Sequence, residues 1–375
     1  MIRNILLFFA ILTFHCSATE IPVFRYALER WIPEAYTLIL THSGDLTEEQ
    51  QKLLAELNEK VDDFRNDAYW GGANMYVQEI NLSTDLEGMS EKSRNEIKDI
   101  LGGAFPEIPS FALLSPYPRA NVWSGEFTRG NLKYLITSPA RQAVIHHVMR
   151  GVTGVWLMID GSDPAVNDKV EADIREYSAL MSEEMPPPRI GDSYKYGRHY
   201  VESEIPLLLE FEVIRVAADN PKEQCLVNIL RNPDIAKALE INPEEIGKQP
   251  LAIPLFGRGR SFYGIVGDEI TQDNVLAFCH YLLGNCSCQV KMQNPGIDFL
   301  FSALWLGMLI GEEAAPAMPT QKEMMPDPVI AAKMSDGSAS AAQHSTPPMI
   351  FVVVGLLALA LVALIVRRNN PSYHD

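Results

Sequence analysis

From Pro22 to Trp31 the apolar residues Phe24, Ala27, Leu28 and Trp31 recur at i, i+3, i+4 and i+7, which predicts a short amphipathic helix. Tyr36 to Leu40 is a compact apolar run that stops at His42-Ser43-Gly44-Asp45, a buried strand followed by a turn. Thr47-Glu48-Glu49-Gln50 has the capping-box pattern. The helix it opens carries Leu53, Leu54, Leu57, Val61 and Phe64 on one side. Asn74 to Ile80 alternates as a second strand. Ser93-x-x-Glu96 predicts the cap of a helix with Ile97, Ile100 and Leu101 inside. A strand from Ile108 to Leu114, carrying Pro109, and its partner from Asn121 to Ser124 form a hairpin. Thr128 then caps a last helix with Leu132, Leu135 and Ile136 on its buried side.

The second half repeats this order. Val155 to Ile159 is a short apolar strand, and Asp160-Gly161-Ser162-Asp163 is the turn after it. Pro164 opens a helix behind Asp163, with Val170, Ile174, Tyr177 and Met181 facing inward. Leu207 to Val216 is the next strand, and helices follow from Cys225 to Leu230 and from Pro233 to Leu239. Leu251 to Phe256, behind Pro250, pairs with Ser261 to Val266, and Thr271 caps the final helix. The two endings align, Thr128 with Thr271 and Asn131 with Asn274. The longer second copy is explained by an irregular insertion near residues 185–206.

An order β-α-β-α-β-β-α with a proline opening the hairpin resembles the thioredoxin-like fold. The resemblance covers Ala35 to about Arg150 in the first copy and rests on element order and on Pro109. Pro250 takes the same place in the second copy. In that family this proline is cis and faces the active site, although cis is only about 5–6% of X-Pro bonds in general. The family's redox members keep a Cys-x-x-Cys at the turn after the first strand, where the helix N-terminus lowers the thiol pKa. This chain has Ser43-Gly44-Asp45-Leu46 and Gly161-Ser162-Asp163-Pro164 there, without sulfur. The resemblance therefore implies the α/β scaffold, in two tandem copies over 19–150 and 151–311, without the redox motif.

The termini place the chain at a membrane. Arg3 precedes an apolar stretch from Ile5 to Phe14 too short to span, and Cys16-Ser17-Ala18 offers small residues for cleavage, so 1–18 reads as a signal peptide. Ile350 to Val366 is apolar throughout and reaches roughly 26 Å as a helix, just enough to cross a bilayer core. With Met349 it forms the expected transmembrane helix, 349–366. Arg367 and Arg368 hold the tail, 367–375, in the cytoplasm and leave the ectodomain outside. Residues 312–348, rich in Ala, Pro, Met, Ser and Thr, read as a flexible linker. Phe299 to Ile310, apolar on every side, reads as a helix packed on the second domain. The net charge of −17 argues against nucleic acid as a partner.

Four cysteines remain after processing, all in the second half: Cys225, Cys279, Cys286 and Cys288. Outside the cytoplasm they suggest structural disulfides, most simply Cys225 to Cys279 and Cys286 to Cys288. The alternative is a redox pair at Cys286 and Cys288, since a bond between near neighbours is strained and easily reduced. That pair follows a helix and so lacks the helix N-terminus that would activate it. Adjacent Cys279 and His280 point about 100° apart on a helix, which disfavours a shared metal. His42 beside Ser43 and Asp45 reads as a turn, because sequence neighbours do not converge as a triad. His146-His147 reads as a favourable charge at a helix C-terminus. Gly257-Arg258-Gly259-Arg260 reads as a hairpin turn.

The expectation is a membrane-anchored, extracytoplasmic module that binds or scaffolds another protein through a redox-inactive thioredoxin-like pair. No catalytic residue, cofactor or metal is assigned. The alternative is a thiol-disulfide oxidoreductase or chaperone using Cys286 and Cys288. Protease added outside intact cells should remove the ectodomain and leave a tag at the C-terminus protected. A tag digested from outside would reverse this orientation.

Overall fold

The computed structural model describes residues 21–66, 71–185, 203–284, 291 and 296–326. Residues 1–18 and 349–375, Cys286, Cys288 and most of the 185–206 insertion lie outside them. Among the described residues no helix is long and apolar enough to cross a membrane.

The protein is a mixed α/β structure built on two four-stranded sheets. In the first, strand β1 (Tyr36–His42) lies at the centre, parallel to β3 (Met75–Asn81) and antiparallel to β4 (Ser110–Leu114). β4 pairs in turn with β5 (Asn121–Glu126), giving the order β3-β1-β4-β5. The short strand β2 (Gly72–Ala73) stands outside this sheet. In the second, β6 (Val152–Ile159) is parallel to β7 (Leu208–Val216) and antiparallel to β8 (Leu251–Leu255). The two-residue strands β9 (Arg260–Ser261) and β10 (Ile265–Val266) follow, and β10 closes the order β7-β6-β8-β10. The two sheets thus have the same sequence of parallel and antiparallel neighbours.

The repeat extends to single hydrogen bonds. Thr128 Oγ1 accepts from the Asn131 N–H at 3.3 Å, and Thr271 Oγ1 from the Asn274 N–H at 3.4 Å. Asn131 donates to the Glu126 carbonyl at 2.9 Å, and Asn274 to the Glu269 carbonyl at 2.8 Å. The residue after each hairpin donates back to the proline before it, Phe127 to Pro109 and Gly267 to Pro250. Both prolines are trans; the cis bond among the described residues is Tyr117–Pro118.

Strand alternation sorts the apolar residues into layers. Leu38 and Leu40 of the first sheet and Val155, Leu157 and Ile159 of the second face one continuous core. Leu53, Leu57 and Val61, from the helix Glu48–Asn66 that Thr47 and Gln50 cap as expected, enter the same core. Ile39 points the other way, to a small outer cluster under Ile97. The helix bearing Ile97, Glu91–Ile100, is capped by Ser90 and not by Ser93, whose N–H is the donor. Trp156 and Met158 face the outer core of the second sheet, covered by helices Pro164–Glu184 and Gln272–Leu283.

The chain ends depart from a strict two-domain split at residue 150. The N-terminal helix Val23–Arg30 forms where the periodicity places it, but Val23, Phe24, Ala27 and Trp31 bury against the outer core of the second sheet. Conversely, Ser302–Ala303 pairs with Gly72–Ala73 of the first half. Phe299 to Ile310 is therefore not one helix: strand pairing comes first, and only Trp305–Leu309 is helical. Asn74 fixes this crossing, donating to the Phe299 carbonyl at 3.2 Å and accepting from the Phe301 N–H at 2.8 Å. Both sheets belong to one compact unit that ends at Pro328. The first part of the expected linker is held as well. His146 bonds the Pro316 carbonyl, and Lys222 donates to the carbonyls of Glu323 and Met325.

The helix expected from Thr128 is broken. It stops after Arg129–Leu132, and a new helix, Pro139–Arg150, starts behind Ser138. The break is buried, so its free carbonyls and N–H groups need partners. Arg141 supplies one set, donating to the carbonyls of Tyr134, Leu135 and Ile136 and to that of Leu300 at 3.1 Å. Glu223 of the second half supplies the other, accepting from the Ala140 N–H at 2.8 Å and from the Ser138 hydroxyl. Burial raises the Glu223 pKa, and the bonds from Ser138 and Ala140 oppose that rise. Arg141→Met would leave four carbonyls, three of them in buried bonds, without this donor. It should lower unfolding stability by about 3–5 kcal/mol, measured by urea titration of the full chain in neutral detergent. A loss below about 0.5 kcal/mol would show that the guanidinium holds nothing together.

Candidate functional site

In an open α/β sheet, ligands collect beyond the carboxyl ends of the parallel strands, where the connections diverge to opposite sides. β1 and β6 are those strands here, since each has a parallel neighbour on one side and an antiparallel one on the other. Each ends in a turn that the sequence singles out.

In the first half, His42 closes the turn. Its Nδ1 lies 2.7 Å from the Gly44 carbonyl and its Nε2 3.0 Å from Glu79 Oε1. Both ring nitrogens face acceptors, so the arrangement is fully satisfied when both carry hydrogen. The Gly44 N–H donates to Ser83 Oγ at 3.2 Å. With both nitrogens engaged, the imidazole is placed to clamp a turn and not to activate Ser43.

In the second half, the turn borders a cleft of about 500 Å³. Asp160, Ser162, Asn167, Arg215, Arg231 and Lys248 line it. Asp163 caps helix Pro164–Glu184 through the Ala165 N–H. Asn167 spans the turn, accepting from the Gly161 N–H at 2.8 Å and donating to its carbonyl at 3.0 Å. The Ser162 N–H donates to the Lys248 carbonyl at 3.1 Å. This brings the turn against the segment before Pro250 so closely that a Cβ on Gly161 would stand 2.7 Å from the Gln249 carbonyl carbon. Alanine there would force the two loops apart.

The wall of the cleft is charged and cross-linked by ion pairs. Arg215 binds Asp160 through two bonds at 2.9 and 3.1 Å, Asp168 at 2.7 Å and Glu171 at 3.2 Å. The bond to Asp160 is the largest reason its pKa lies above that of free arginine, with burial opposing. Arg231 and Lys248 are exposed at the rim. The Ser162 hydroxyl donates to the Lys248 carbonyl at 3.1 Å, and the cleft carboxylate Asp160 is bonded to Arg215. Arg215, Arg231 and Lys248 were not singled out from the sequence. The one local signal is Arg215, a charge set in the apolar end of a strand.

The cysteines correct the expected pairing. Cys225 and Cys279 are free and fully buried. Cys225 lies in the core shared with Val155 and Leu157, Cys279 in the core shared with Trp156 and Met158. Successive residues of β6 point to opposite faces, so the sheet separates the two thiols, whereas a disulfide needs Cα atoms within about 7 Å. Burial pushes the Cys225 thiol up to about 11 and the Cys279 thiol up to about 12. Cys286 and Cys288 lie outside the described residues. Pro109 and Pro250 stand immediately before β4 and β8. Gly257-Arg258-Gly259-Arg260 does turn the chain, and it also binds: Arg258 donates to the Leu28 carbonyl at 2.9 Å and Arg260 to Asp298 at 3.0 Å. His147 faces Glu212 at 3.7 Å, and burial lowers its pKa while Glu212 opposes. Among the described residues no three of His, Cys, Asp or Glu are grouped as metal ligands.

No family model, curated protein or solved structure matches this chain.

Buried thiols with raised pKa values react slowly with alkylating agents. At pH 7.5 Cys225 and Cys279 should stay unlabelled by iodoacetamide in the native full chain and label fully in guanidinium, as read by peptide mass mapping. A Cys225–Cys279 disulfide, or rapid native labelling of either thiol, would contradict their placement.

Proposed function

We propose that the chain is a pair of tandem thioredoxin-like domains, anchored outside the cytoplasm by a single C-terminal span, that binds a partner protein and does no redox chemistry at its turns. The observation that supports this most is the shared strand order of the two sheets, with a sulfur-free turn at the carboxyl end of each central strand. The second turn borders a cleft whose rim carries Arg231 and Lys248. A segment with carboxylates or exposed carbonyls would complement that rim.

The alternative, thiol-disulfide exchange at Cys286 and Cys288, predicts turnover. The full chain should reduce or isomerise no disulfide substrate, and Cys286→Ser with Cys288→Ser should leave partner binding intact. If those two thiols are bonded, their loss should cost about 2–4 kcal/mol of stability. Turnover that disappears in the folded double variant would overturn the binding-only reading.

A further inference from the structure

A second cavity, of about 520 Å³, opens beside the edge strand β10 of the second sheet. Its apolar wall is aromatic: Phe262, Tyr263, Phe278 and Tyr281. The rings meet edge to face, Phe262 with Tyr281 at 4.7 Å and 87°, Tyr263 with Phe278 at 6.2 Å and 83°. Such corners present ring faces, which carry negative charge density and attract cations. The cluster already engages one cation, since the Arg260 guanidinium lies 5.9 Å from the Phe262 ring.

The charged residues lining this cavity are both acidic, Glu240 and Glu269. Both are exposed, and no lysine or arginine is among the described lining residues. Glu240 is also the one non-glycine at positive φ among the described residues, at 58°. It occupies the position after helix Pro233–Ala238 where the chain turns left-handed, with its N–H on the Lys237 carbonyl and the Ile241 N–H on that of Ala236. Glycine is the usual residue there. Stability alone would therefore favour glycine over a carboxylate at this rim.

We infer that this aromatic cavity, rimmed by Glu240 and Glu269, receives a lysine or arginine side chain from an extended segment of the partner protein. The inference rests on the partner-binding reading and names a second contact for the same partner, separate from the cleft at Ser162. The rings supply the cation–π surface, and the two carboxylates supply the counter-charge.

The test uses the full chain in neutral detergent and calorimetric titration with acetyl-Gly-Lys-Gly-Lys-Gly-amide. The twin peptide with norleucine for lysine is the neutral control. The lysine peptide should bind saturably and the norleucine peptide should not. Glu240→Gln combined with Glu269→Gln should weaken binding at least ~10-fold, a 1.4 kcal/mol change. Glu240→Gly should weaken it as well while raising Tm, because it relieves the left-handed backbone. The inference falls if no saturable binding appears by ~10 mM peptide. It also falls if the norleucine peptide or the double Gln variant binds as well as the reference pair. Tetramethylammonium binding as tightly as the peptide would overturn the peptide source in favour of a small cation. If a partner is found at Ser162 while the lysine peptide fails, this inference alone is lost and the binding reading stands.

Discussion

A buried break between two helices must satisfy every carbonyl and N–H it exposes, and in this protein one guanidinium does most of that. Arg141 is 2% exposed and donates to carbonyls of the turn before it and to that of Leu300, beyond the second sheet. Ser138 accepts from its Nε at 3.1 Å and passes its own hydroxyl hydrogen to Glu223. First half, second half and C-terminal segment therefore converge on one polar cluster inside an apolar core. A buried charge is tolerated only when its donors are used, so each strand of this arrangement depends on the others being in place.

The same logic of shared partners joins the N-terminal helix to residues 291–301. Asp298 accepts from Arg260 at 3.0 Å, from Lys291 at 2.9 Å and from the Glu34 N–H at 2.9 Å. Arg258 holds the carboxyl end of the N-terminal helix. The glycines on either side of it let this loop approach closely. A Cβ on Gly257 would stand 2.8 Å from that of Ala27, and one on Gly259 would stand 2.4 Å from the Phe301 ring. The N-terminal helix thus covers the second sheet, while Ile297–Asp298 pairs with Arg260–Ser261 and Ser302–Ala303 with Gly72–Ala73 of the first half. Both sheets belong to one compact unit, which carries the turns at the ends of β1 and β6.

Local patterns made the elements and their repetition readable. Thr47 with Gln50 announces a helix because the cap bonds are made within four residues, and Thr128 and Thr271 mark equivalent endings for the same reason. What could not be read is what depends on long-range partners. The helix after Thr128 looks continuous until Arg141 and Glu223 are seen to satisfy its break. The apolar run at Phe299 looks helical because strand pairing with Gly72–Ala73 leaves no trace in its own periodicity. The Cys225–Cys279 pairing fails because a sheet lies between two residues that spacing alone allows to meet. The cleft was legible as a turn, but its charges, Arg231 and Lys248, come from segments whose convergence is a property of the topology.

The proposed role rests on the cleft beside Ser162 being a contact surface. The most direct measurement is photo-crosslinking from a benzophenone amino acid at Ser162, with the full chain in the cells that make it. The account predicts one defined protein adduct, lost in Arg231→Glu with Lys248→Glu and retained in Cys286→Ser with Cys288→Ser. It is contradicted if Ser162 gives no adduct, or if the adduct survives the charge reversal and vanishes when the two cysteines are replaced.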